Sequence, residues 1–121
     1  MKKVALSVLL VSMLPLTQVH ANEYVKHNGV LSLFPRDGTA DFNINTSHDS
    51  ASAVCNMESA AREVGAGAEQ KNRWVYNDSS SACVAVISEL KDGSVNVMTR
   101  SCENYCGVSA VGSMDGKYIK R

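Results

Sequence analysis

Residues 51–64, A-S-A-V-C-N-M-E-S-A-A-R-E-V, decide the fold. The stretch is rich in Ala and Glu, both good helix formers. Val54, Met57, Ala61 and Val64 recur at spacings of three and four, which places them on one helical face. Ser47, Asp49 and Ser50 offer N-caps ahead of it, and Gly65 stands where a C′ glycine would end it. The expectation is one main α-helix whose apolar stripe lies on a sheet. Cys55, next to Val54, falls in that stripe and can reach a strand beneath.

Working outward, the flanks read as strands. Gly29 to Phe34 is a first strand, stopped by Pro35 and turned by Arg36-Asp37-Gly38. Thr39 to Thr46 alternates, with Ala40, Phe42 and Ile44 opposite Asp41, Asn43 and Asn45. Asn22 to Asn28 is polar and reads as a loose lead-in. On the other side, Gly65 to Asn72 reads as a loop, Arg73 to Tyr76 as a short strand and Asn77 to Ser81 as a polar turn. Ala82 to Ile87 is an unbroken apolar run, which fits a strand buried on both faces. Asp92-Gly93 supplies a hairpin turn. Ser94 to Arg100 then alternates, Val95 and Val97 against Asn96 and Met98. Ser101 to Gly107 is a tight loop, Val108 to Met114 another strand, and Lys117 to Ile119 a short last one. The sum is a single α+β domain: a bent antiparallel sheet of five to six strands packed against one helix.

Residues 1–21 have the three parts of a secretory signal peptide. Lys2 and Lys3 form the positive region, Val4 to Leu14 the apolar region, and Val19-His20-Ala21 the cleavage site. The apolar run falls short of the roughly 20 residues a spanning helix needs, which disfavours a membrane anchor. The domain then covers 22–121 and is soluble in the periplasm or outside the cell, with no membrane partner. Cleavage removes two of the 12 basic residues and none of the 12 acidic ones, leaving a formal charge of −2. Without a basic excess or a Lys/Arg cluster, nucleic acid is not an expected partner.

Four cysteines in an exported domain read as two disulfides made from Cys55, Cys83, Cys102 and Cys106. Three pairings are possible, and the sequence alone does not choose among them. Cys102–Cys106 is favoured because three intervening residues let a turn join them, leaving Cys55–Cys83 to staple helix to sheet. In the loop-entropy picture the longer link contributes roughly 3.5 kcal/mol and the shorter about 2 kcal/mol. The spacings match no zinc finger, so neither a metal nor any other cofactor is expected.

Positive signals for an enzyme are lacking. His27 and His48 belong to no nucleophile motif. Glu58 and Glu63 do not share one helical face squarely, and with Arg62 they read as a solvated surface. Trp74 and Tyr76 read as core fillers more readily than as binding aromatics. Tyr105 sits between Cys102 and Cys106 beside Glu103 and Asn104. It reads either as a rigid exposed anchor for another protein or as a side chain folded back onto the sheet.

The pattern C-x-x-Y-C-G…D-G-x-Y, here Cys102, Tyr105, Cys106, Gly107, Asp115, Gly116 and Tyr118, resembles small periplasmic proteins that shield bacteria from wall-cutting enzymes. The whole chain resembles the type VI secretion immunity proteins of the Vibrio type, which neutralise the muramidase-like domain of a spike effector. The Ser-Gly-Ser-Gly loop of vertebrate-type lysozyme inhibitors is not found. The resemblance implies a non-enzymatic inhibitor that plugs the active-site cleft of a peptidoglycan hydrolase, and it implies a homodimer. Glycosidase clefts carry carboxylates, so a cation or hydroxyl could engage them. Lys71, Arg73, Arg100 and Tyr105 are the candidates. The competing readings are a binding module for a small ligand or envelope component, and a hydrolase.

Overall fold

A computed structural model describes residues 22–48 and 53–121. The leader assigned to 1–21, and the caps assigned to Asp49 and Ser50, lie outside them. The chain forms eight strands: β1 (Asn22–Lys26), β2 (Gly29–Pro35), β3 (Thr39–Ser47), β4 (Val54–Val64), β5 (Gln70–Asn77), β6 (Val84–Leu90), β7 (Val95–Arg100) and β8 (Gly116–Lys120). Each pairs antiparallel with its neighbours in sequence, and β8 returns to β1, so the sheet closes into a barrel. Closure leaves no free edge along the wall.

The α+β reading is overturned at residues 54–64; Ala51 and Ser52, the first two residues of the expected helix, lie outside the described residues. Val54 to Val64 is the longest strand, not a helix. It pairs with β3 over nine residues, from Thr39↔Arg62 to Ser47↔Val54. Its burial has period two: Cys55, Met57 and Ala61 point inward, while Asn56, Glu58, Ala60 and Arg62 face solvent. Local helix propensity is worth only tenths of a kcal/mol per residue. Ladder pairing on both sides and burial of Met57 outweigh it. Val54, placed on the buried helical stripe, is 57% exposed. Gly65 lies in the β4–β5 connection rather than capping a helix.

Two further expectations fail. Asn22 to Lys26 is no loose lead-in but β1, which supplies buried Tyr24 and closes the barrel against β8. Val108 to Met114 is no strand. It holds a single 3-10 turn at Val108–Ala110 and lies across the barrel end, with Ala110 and Met114 buried. The hairpins read from sequence at 36–38 and 92–93 stand where expected. Gly93 has φ +92°, a conformation open to glycine. Val84 and Val86 on β6 are half-buried, so that strand alternates instead of being dry on both faces.

Inside, Tyr24, Phe42, Trp74 and Tyr118 fill the lumen with Leu31, Leu33, Ile44, Met57, Ile87 and Val97. Eight strands enclose just enough room for side chains to fill. The outer face of β3 and β4 is polar, with Asp41, Asn43, Asn45, Asn56 and Glu58. On these two strands that is the reverse of the apolar outward band of a lipid-facing barrel.

Up-and-down order sends alternate connections to opposite ends. One end receives 27–28, His48 and Ala53, 78–83 and the long 101–115 segment. The other receives 36–38, 65–69, 91–94 and the C-terminus.

Candidate functional site

Both disulfides sit at the end bearing 101–115. They are Cys55–Cys106, with Cα atoms 4.0 Å apart, and Cys83–Cys102, 4.5 Å apart. The favoured Cys102–Cys106 and Cys55–Cys83 pairing is therefore corrected. Backbone geometry sets the outcome. Cys106 forms an isolated antiparallel bridge with Cys55, locked by the Gly107 amide donating to the Val54 carbonyl at 2.9 Å. Val84 pairs with Arg100, so Cys83 and Cys102 lie just beyond the last rung between β6 and β7. The intervening Glu103–Tyr105 makes a 3-10 turn that faces its two flanking cysteines toward different strands. The segment is thus a cap, riveted to β4 on one side and β6 on the other.

A polar chain pins the middle of this cap. The Tyr105 hydroxyl donates to Asp78 Oδ2 at 3.0 Å. It then accepts from the Tyr76 hydroxyl, also at 3.0 Å. Asp78 further accepts from the Ser80 amide and hydroxyl and from the Ser81 hydroxyl. These bonds hold its carboxyl at about 2, below the usual 3.8, with the Ser80 hydroxyl the largest cause. The Tyr105 phenol is pushed well above its ordinary value, first by the bond with Tyr76 and then by desolvation. Tyr76 itself packs edge-on against Phe42, ring centroids 5.8 Å apart. Tyr105 is folded back and half-buried against the core, the second of its two readings. Trp74 is 2% exposed and belongs to the core.

The four partner-binding candidates do not converge. Tyr105 and Arg100 are at the capped end, and Arg100 is exposed beside a shallow outer groove of about 240 Å³ with Val84, Val86 and Met98. Arg73 lies midway along β5, and its Nε is buried without a hydrogen-bond partner among the described residues. Lys71 lies toward the far end, 3.8 Å from Glu89.

What the sequence reading missed is apolar. Val54, Val108 and Val111 stand 57%, 92% and 51% exposed, all at the capped end. Val54 and Val108 flank the Cys55–Cys106 bridge and the Gly107–Val54 hydrogen bond. Gly107 fits closely there: a Cβ would lie 3.0 Å from Ala53 Cβ and require a shift of a few tenths of an ångström. Val54 was assigned to a helix and Val108 and Val111 to a strand, so no sequence signal marked them as exposed. Beside them, Lys26, His27, Asn28, Ser47, His48 and Ser113 line a hollow of about 410 Å³. His27 and His48, far apart in the chain, thus share one rim. Among the described residues no group of three or more His, Cys, Asp or Glu could hold a metal ion.

The arrangement offers a stiff tip with three exposed valines among polar residues and a cation at its margin. Two disulfides are compatible with an oxidising, extracytoplasmic compartment. A scan of family models, a search of curated proteins and a search of solved structures each find no match to this chain.

Proposed function

We propose that the mature domain is a periplasmic immunity protein that binds a peptidoglycan-degrading, muramidase-type effector and blocks its cleft. The observation that carries this reading is the capped end: exposed Val108 and Val111 on a segment fixed through two disulfides, with exposed Val54 beside it at the start of β4. A surface ordered before binding loses little entropy on association. Isolated exposed apolar residues are ordinary, but a group at one rigid end favours protein recognition. Arg100, exposed where β7 enters the cap, is the cation placed to meet a cleft carboxylate. Tyr105 serves as a strut for the cap rather than as an anchor, since its hydroxyl is already engaged. The homodimer belongs to the same proposal.

A small-ligand carrier finds less support, because the lumen is occupied by aromatic and aliphatic side chains. The test is a titration of wall-hydrolase activity with purified mature protein. Activity should fall to near zero at one equivalent, and Val108→Asp should weaken inhibition by about 30-fold or more while leaving the melting temperature unchanged. Undiminished activity of every wall-cutting effector of the same cell would sink the reading.

A further inference from the structure

The outer face of β2, β3 and β4, on the wall below the cap, holds a second constellation. Ser32 pairs with Asn43 and Asn43 with Glu58, which makes one outward row across three strands. The row spans about 10 Å at the usual interstrand spacing. Phe34, half-buried on β2, lies beside it with Asp41. Together with Ser59 these residues line a groove of about 450 Å³.

Part of the polar lining of the groove is held by its own hydrogen bonds. Asn56 Nδ2 donates to Asn45 Oδ1, and Asn45 Nδ2 donates to Asn43 Oδ1 at 2.7 Å. This amide chain engages the Asn43 oxygen once and leaves its Nδ2 available as a donor. Glu58 stands opposite Asn43 on the neighbouring strand. Glu58 is exposed, and its carboxylate has no hydrogen-bond or ion-pair partner among the described residues. Arg36 holds Asp41, one of the lining residues, at 2.6 Å. The result is an oriented amide donor, an unengaged carboxylate acceptor and serine hydroxyls beside a phenyl ring.

We propose that this groove binds a neutral oligosaccharide, with Asn43 and Glu58 hydrogen-bonding ring hydroxyls and Phe34 packing on a sugar face. A polyhydroxylated ring presents adjacent donors and acceptors around an apolar C–H face, which matches this set. A phosphorylated or otherwise anionic ligand is disfavoured by the Glu58 carboxylate, unpaired among the described residues. The site lies apart from the cap and does not depend on the immunity reading.

The experiment is an NMR titration of the ¹⁵N-labelled mature protein with cellotetraose and with maltotetraose. At least one should shift the backbone amides of Ser32, Asn43 and Glu58 in a saturable way, leaving the cap unshifted. Glu58→Gln, at an exposed position, should keep the native spectrum and weaken binding about tenfold. Asn43→Ala should do the same. No saturable shift with either sugar up to tens of millimolar, shifts centred elsewhere, or equal affinity of wild type and Glu58→Gln would each overturn the proposal.

Discussion

Asp78 shows how one side chain ties distant parts of the cap together. It gathers Ser80, Ser81 and Tyr105, a partner 27 residues away. Its folded pKa of about 2 lies below the unfolded 3.8, so the linkage has a definite sign. The carboxylate contributes stability that is fully present above pH 4 or so and fades as pH falls through about 2. Melting temperature against pH should therefore fall less steeply for Asp78→Asn than for wild type across that window. Parallel profiles would show that the Asp78 bonds do not form in solution. Asp92 at the opposite end is also held at about 2, chiefly by the Ser94 hydroxyl, so part of the wild-type slope will remain. The polar turn around Asp78 was legible in the sequence, because Asp followed by serines is a local hydrogen-bonding signal. Its tie to Tyr105 was not, since nothing local records which remote hydroxyl will meet a carboxylate.

At the scale of elements, β4 is where sequence and structure part. A three-and-four spacing and a spacing of two can both be traced through residues 54–64. The helical trace used Val54, Met57, Ala61 and Val64, whereas the strand trace uses Cys55, Met57 and Ala61. Ala- and Glu-rich composition favoured the first locally. The deciding energy comes from ladders with β3 and β5, which no window of the sequence contains. By contrast β2, β3 and β7 were legible, because their alternation is clean and their turns carry Asp-Gly signals. β1 was missed because its inward side supplies only one fully buried residue, Tyr24, amid polar neighbours. The two traces make opposite demands on Val54. In the barrel, Val54→Lys should change stability by no more than about 0.5 kcal/mol, while Met57→Ala should cost about 2–5 kcal/mol in chemical denaturation. A loss from Val54→Lys as large as that from Met57→Ala would restore the buried helical stripe.

For the whole molecule, the barrel is a scaffold and the cap is what it presents. The two disulfides are nested, closing loops with sequence separations of 51 and 19. In the loop-entropy model these are worth about 4 and about 3 kcal/mol singly, and less than the sum together because the inner link shortens the outer loop. Such values are a large share of a small domain's stability. That four cysteines would form two links was legible from their count and from the export expected of the leader at 1–21. Which cysteine meets which was not, because the answer is written in strand register: Cys55 bridges Cys106, and β6 and β7 end together at Cys83 and Cys102. The immunity reading and the stiffness of the exposed valines both rest on this pairing. Peptide mapping without reduction tests it directly. Trypsin should release residues 101–117 covalently joined to both 37–62 and 74–91, and further cleavage after Glu103 should split the complex into a Cys55–Cys106 pair and a Cys83–Cys102 pair. Release of 101–117 as a separate peptide closed on itself, with 37–62 joined to 74–91, would contradict the account.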